Sequence, residues 1–193
     1  MSFCGIDIGN KNMALSFITD ENEVITYKGV VDGKDSFLYR YVQDEEITKI
    51  ELSKSVDVPH DICMLLALVP ELRDTTRTYI ELQVNMHNAG ILKLEGVIIG
   101  FLIGRYTQMQ VDSCSSRKRT CFATKYVTQH GKPSIKLIGS PPATKHDTMY
   151  MVGSLYPEFY DFMLQFMKSG EYDIGKMDDV CDTIAYAHMA RIA

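Results

Sequence analysis

Nowhere does the chain run apolar for the ~18 positions that a membrane-spanning helix needs. The first residues show no basic stretch followed by an apolar run and a small-residue cleavage site, and a strand is expected to begin by about residue 3, so no removable leader is expected. Cysteine never occurs as CxxC: Cys4, Cys63, Cys114, Cys121 and Cys181 are scattered and odd in number. That favours reduced thiols inside a cell over a disulfide framework or a zinc site. Repeats and low-complexity tracts are absent too. What remains is 193 residues, 46% hydrophobic and 23% charged, the make-up of one globular domain with a proper core.

The formal net charge of −5 argues mildly against a nucleic-acid partner, but it is an average over an uneven chain. Between Ser113 and His146 there is no acid at all, against seven basic residues: Arg117, Lys118, Arg119, Lys125, Lys132, Lys136 and Lys145. A basic segment on an acidic protein is the footprint of a face that meets phosphates, and equally of a solvated loop.

Apolar alternation predicts strands over Phe3–Ile8 and Met13–Thr19, joined as a hairpin through Gly9–Asn12, with further elements at Glu23–Val31 and Phe37–Val42. "HDICMLLALVPEL" repeats at helical spacing over about 60–69 and stops near Pro70. "RTYIELQV" and "TQMQVDSC" read as strands on either side of a long, largely buried helix over 88–105. After a basic, Gly- and Pro-containing loop over about 113–146, a helix broken near Pro157 and a terminal helix "KMDDVCDTIAYAHMARI" complete the chain. This order predicts one α/β domain over 1–193, a mixed five-stranded sheet flanked by helices.

Four carboxylates carry the chemistry. Asp7 lies between Ile6 and Ile8 in the first strand, and Glu81 between Ile80 and Leu82 in a later one. Each is costly to bury unless a cation or donors compensate it, although either side chain would be unremarkable on an exposed sheet face. Asp179 and Asp182, spaced i and i+3, share one face at the start of the last helix, while Asp178 is expected to point elsewhere. Acids at a helix start also cap free amides and complement the dipole. His188 and the aromatic run "YPEFYDF" (156–162) are expected to pack rather than to contact a metal or stack on bases.

Taken in order, "IDIGNKN" (6–12), "YIELQ" (79–83) and "KMDDVCDTIAYA" (176–187) resemble the RuvC-type Holliday junction resolvases of the ribonuclease H-like superfamily, and within them the poxvirus branch. The resemblance implies a ribonuclease H-like fold and a divalent-metal endonuclease that resolves four-way DNA junctions by paired phosphodiester hydrolysis. It implies Asp7, Glu81, Asp179 and Asp182 as ligands to two Mg2+ ions, with Mn2+ able to substitute. Hard oxygen donors without histidine or cysteine suit that choice. Two ions ~4 Å apart activate water and stabilise the leaving oxygen. The resemblance also implies a catalytic lysine, for which Lys145 is the first candidate and Lys118 the competitor. Arg117, Lys118, Arg119, Lys125, Lys132 and Lys136 would bind DNA, and a homodimer would match the two-fold symmetry of a junction, with helix 88–105 as its candidate face. An intracellular location follows, cytoplasmic for a poxvirus-like virus. The chain departs from the family in the length of the segment before Lys145 and in lacking basic residues after Glu81. "GIDIG" also resembles the first phosphate loop of actin-like ATPases and sugar kinases, but these need a second such lobe. Another nuclease of the same fold, acting on other branched DNA or RNA–DNA hybrids, and a non-catalytic junction-binding protein are the remaining alternatives.

Overall fold

Alternation along the first strand sorts its side chains onto two faces. Cys4, Ile6 and Ile8 enter one core and Gly5 and Asp7 face the other, so a single strand serves both layers of helices. A computed structural model describes residues 1–9, 11–82, 89–137, 141–169 and 177–193. Its sheet has seven strands: β1 (Ser2–Ile8), β2 (Asn12–Thr19), β3 (Val24–Val30), β4 (Phe37–Val42), β5 (Thr48–Glu51), β6 (Thr75–Leu82) and β7 (Gln110–Ser115), in the order β5-β4-β3-β2-β1-β6-β7. The β1–β5 meander is antiparallel, and β6 and β7 then add parallel to β1.

Helices α1 (Val58–Leu68) and α2 (Ala89–Arg105) cover one face. Ile62, Leu65, Leu66, Leu94, Ile98 and Leu102 pack there with Ile6, Leu15 and Ile80. Helices α3 (Ser116–His130), α4 (Ala143–Leu155), α5 (Pro157–Ser169) and α6 (Met177–Ile192) belong to the other side, where α6 lies directly on β1 and β2. The approach is close. A methyl group on Gly5 would stand 2.0 Å from the Thr183 carbonyl oxygen and 2.7 Å from the Ala187 nitrogen, so only glycine admits the helix. A buried hydroxyl chain fastens the same contact: Ser16 Oγ lies 2.6 Å from Thr183 Oγ1 and 2.9 Å from Thr26 Oγ1.

Two expectations need correction. The sheet has seven strands, not five: both further elements, Glu23–Val31 and Phe37–Val42, are strands (β3 and β4), and the edge strand β5 has four residues with only Ile50 partly covered, too little alternation to be read. Most of the supposed basic loop is helix. Ser115 caps α3 by accepting from the Lys118 amide, and Gly131 ends it with φ 83°. The buried positions of α3 are Arg119, Ala123 and Val127, a stripe at i, i+4, i+8 that an arginine and an alanine disguise.

Candidate active site

β1 and β6 run parallel with Gly5 opposite Tyr79 and Ile6 opposite Ile80. The next residue of each strand is an acid, so Asp7 and Glu81 emerge side by side at the ends of the two strands. The glycine-dependent seating of α6 on β1 brings Asp182 to the same point. Asp7, Glu81 and Asp182 each offer a carboxylate oxygen, all within 4.8 Å of one another. They face a cleft of about 500 Å3 that Ser116, Arg117, Thr120, Thr144 and Lys145 also line.

Three cations hold the cluster together. Lys145 Nζ lies 2.7 Å from Asp178 Oδ2, 2.9 Å from Asp182 Oδ2 and 3.5 Å from Asp179 Oδ1. Arg119 Nη1 lies 3.0 Å from both Glu81 Oε2 and Asp182 Oδ2, and donates to the Tyr186 hydroxyl at 3.3 Å, its guanidinium standing over the Tyr186 ring. Lys28, buried on β3, reaches Asp179 Oδ2 at 3.0 Å. Even so, burial wins at the acids. It pushes Asp7 up to about 7, with Glu81 and Asp179 adding repulsion, and Asp182 up to about 6 against the pull of Arg119 and Lys145. Glu81 is raised as well, again chiefly by burial. Burial works against the Lys145 charge, but Asp182 and Asp178 outweigh it and hold the lysine above its usual value.

The structure rearranges part of the expected set. Asp179 stands beside the three-carboxylate group, gripped by Lys28 and Lys145, and Asp178 does not point away but shares Lys145 with Asp182. Helical geometry explains the exchange, since i and i+4 differ by ~40° around the axis and i and i+3 by ~60°. Arg119, expected on the DNA-facing surface with Arg117 and Lys118, is 3% exposed and inside the acidic cluster. Arg117, two residues earlier, also borders the cleft but stays exposed. Lys118 lies over the Tyr79 ring, away from the acids that Lys145 contacts. Arg117, Lys125, Lys132 and Lys136 are exposed. His188 packs, its Nδ1 2.8 Å from the Tyr156 hydroxyl and its ring against Phe122 and Tyr156; burial lowers its pKa. Tyr156, Phe159 and Tyr160 are core. Lys28 and Asp178 escaped the sequence reading, and the only trace of Lys28 is a lysine inside a β-rich run, "VITYKGV". The resemblance at Asn10, Gln83 and Lys176 lies outside the described residues, as does the stretch after Glu81 over 83–88.

No protein-family model matches the chain, and no curated protein matches it at a significant level. Solved structures do. Thermus thermophilus RuvC in complex with a Holliday junction substrate is 11% identical over 97% of this chain and 90% of that one, with a TM-score of 0.50. A second structure of T. thermophilus RuvC is 15% identical over 97% and 91%, at 0.49. Fowlpox virus resolvase with its Holliday junction DNA is 16% identical over 98% and 95%, at 0.47. At such low identity the likeness is one of fold. Over nearly its whole length, then, the chain has the ribonuclease H-like fold of RuvC, with its acidic cluster at the ends of the central strands β1 and β6.

Proposed function

We propose that this protein is a divalent-metal-dependent, structure-selective endonuclease that resolves four-way DNA junctions. The observation that carries the reading is the convergence of Asp7, Glu81 and Asp182, from three distant segments, on one cleft beside Lys145 in a RuvC fold. RuvC and the fowlpox virus resolvase were both solved with Holliday junction DNA.

The residues fit a metal. Their donors are all carboxylate oxygens, the set that Mg2+ or Mn2+ prefers. Asp182 Oδ1 is buried and has no hydrogen-bond partner among the described residues, an acceptor left open for a cation. Asp7, Glu81 and Asp182 would hold the ion, which when bound supplies an activated water and neutralises charge at the leaving oxygen. The rest falls to the chain. Lys145, anchored by Asp178 and Asp182, keeps a fixed positive charge in the cleft where negative charge develops on the phosphate. The exposed Arg117, Lys118, Lys125, Lys132 and Lys136 offer phosphate contacts that position the DNA.

Paired cuts in a two-fold symmetric junction call for two copies. The outer face of α2 suits that contact: Leu92, Val97 and Ile103 are exposed, and open space lies above Gly96, Gly100 and Gly104. No described helix is long and apolar enough to cross a membrane. The place of action in this reading is inside the cell, in the cytoplasm if the source is a poxvirus-like virus.

Incubation with a synthetic four-way junction, a Y-fork, an RNA–DNA hybrid and linear duplex, each in Mg2+ or EDTA, tests the proposal. Paired nicks in the junction, only in Mg2+, are expected. Asp7→Asn should bind the junction and not cut it, and Lys145→Ala should cut about a hundredfold more slowly at similar affinity. Preferential cutting of the hybrid or fork would assign another substrate, and binding without cleavage in Mg2+ would make the protein a junction binder.

A further inference from the structure

The acidic cluster already contains much of its own neutralising charge. Five carboxylates meet there, Asp7, Glu81, Asp178, Asp179 and Asp182, against three cations among the described residues, Lys28, Arg119 and Lys145. The imbalance is two negative charges, which one divalent ion balances; a second would leave two positive charges in excess, and only one if Arg119 were neutral. Arg119 also occupies a telling place. A single guanidinium nitrogen bridges Glu81 Oε2 and Asp182 Oδ2 at 3.0 Å each, as a shared metal ion would. Its charge is permanent, because arginine does not lose its proton in a protein. At 3% exposure the side chain is almost wholly buried at the wall of the cleft. A second ion next to it would set two like charges together in a medium of low dielectric.

We infer that Arg119 is a positioning residue standing in the place of a second metal ion, so that the DNA-free protein binds a single divalent ion. Arg119 and Lys145 both bind Asp182 through Oδ2, which leaves Oδ1 for that ion, and Arg119 takes Glu81 through Oε2 only. The inference rests on the metal-nuclease reading and deepens it.

The test counts Mn2+ bound per chain without DNA at pH 8, by electron paramagnetic resonance of the unbound ion. The protein itself should take up one ion, Arg119→Gln two, and Arg119→Lys, which keeps the charge, one again. A purely structural arginine would not produce that pattern. Two ions in the unaltered protein, or one in Arg119→Gln, overturns the inference and leaves the nuclease reading standing. If Arg119→Gln fails to fold by circular dichroism, Arg119→Met takes its place with the same expectation: two ions upholds the inference and one overturns it. No bound Mn2+ at all overturns both readings, while a junction-cleavage failure alone touches only the proposed function.

Discussion

Asp7 sits where burial pushes it up to about 7, and Asp182 where burial pushes it to about 6. A carboxyl whose native pKa exceeds its unfolded value keeps, in the folded chain, a proton that the unfolded chain has released. Between those values, from about pH 4 to about pH 7, stability therefore falls as pH rises. In EDTA the melting temperature should drop across that window, and Asp7→Asn should flatten the drop. His188 pulls the other way, since its depressed pKa favours the fold as pH rises toward neutrality, but that contribution is common to both proteins. Mg2+ takes the place of the proton, so its addition should raise the melting temperature more at pH 8 than at pH 5. Differential scanning fluorimetry in EDTA and in Mg2+ measures both effects. An equal response at the two pH values would show that Asp7 does not face the ion.

At the scale of elements, the site depends on how closely α6 approaches β1. Gly5→Ala puts a methyl group 2.0 Å from a backbone oxygen, where no rotamer change relieves the contact. The helix has to lift, which should lower stability by about 3 kcal/mol in urea unfolding, the upper range for overpacking a core. The same lift carries Asp182 away from Asp7 and Glu81, so metal affinity should fall with it. Unchanged urea unfolding would mean that α6 has more room than its contact with Gly5 allows. Helix α3 has the complementary task. Its stripe of Arg119, Ala123 and Val127 turns the arginine into the acidic cluster while Arg117 and Lys118 stay exposed. One helix thus supplies both an internal counter-charge and an outward basic row.

Across the whole molecule, a net charge of −5 coexists with an acid-free stretch from Ser113 to His146. The acids of the site are countered internally by Lys28, Arg119 and Lys145, so in the proposed nuclease the exposed basic row is left to meet phosphate. Junction affinity should fall steeply with salt through counterion release, by about 0.9 log units per contacted phosphate for each tenfold rise in salt. Replacing Arg117, Lys118 and Lys125 with glutamine should lower that slope by up to about 3 in a fluorescence-anisotropy titration. An unchanged slope would turn α3 away from the DNA.

The amino-acid sequence by itself determined the hairpin, the helix before Pro70, the long helix α2 and the terminal helix, because each writes its period in apolar residues. It also marked Asp7 and Glu81, since a carboxylate between apolar neighbours on a strand is conspicuous wherever the fold takes it. Charge partnerships left no such mark. Which lysine meets the acids, Lys145 and not Lys118, which aspartate shares it, Asp178 as well as Asp182, and whether Arg119 faces water or Glu81 were decided only by the tertiary structure. Arg119 pairs with Glu81 across 38 positions and Lys28 with Asp179 across 151. Local periodicity records which face of an element is buried. Which charges meet there depends on how the helices are seated on the sheet, and in this protein that seating turns on the room left by the missing side chain of Gly5.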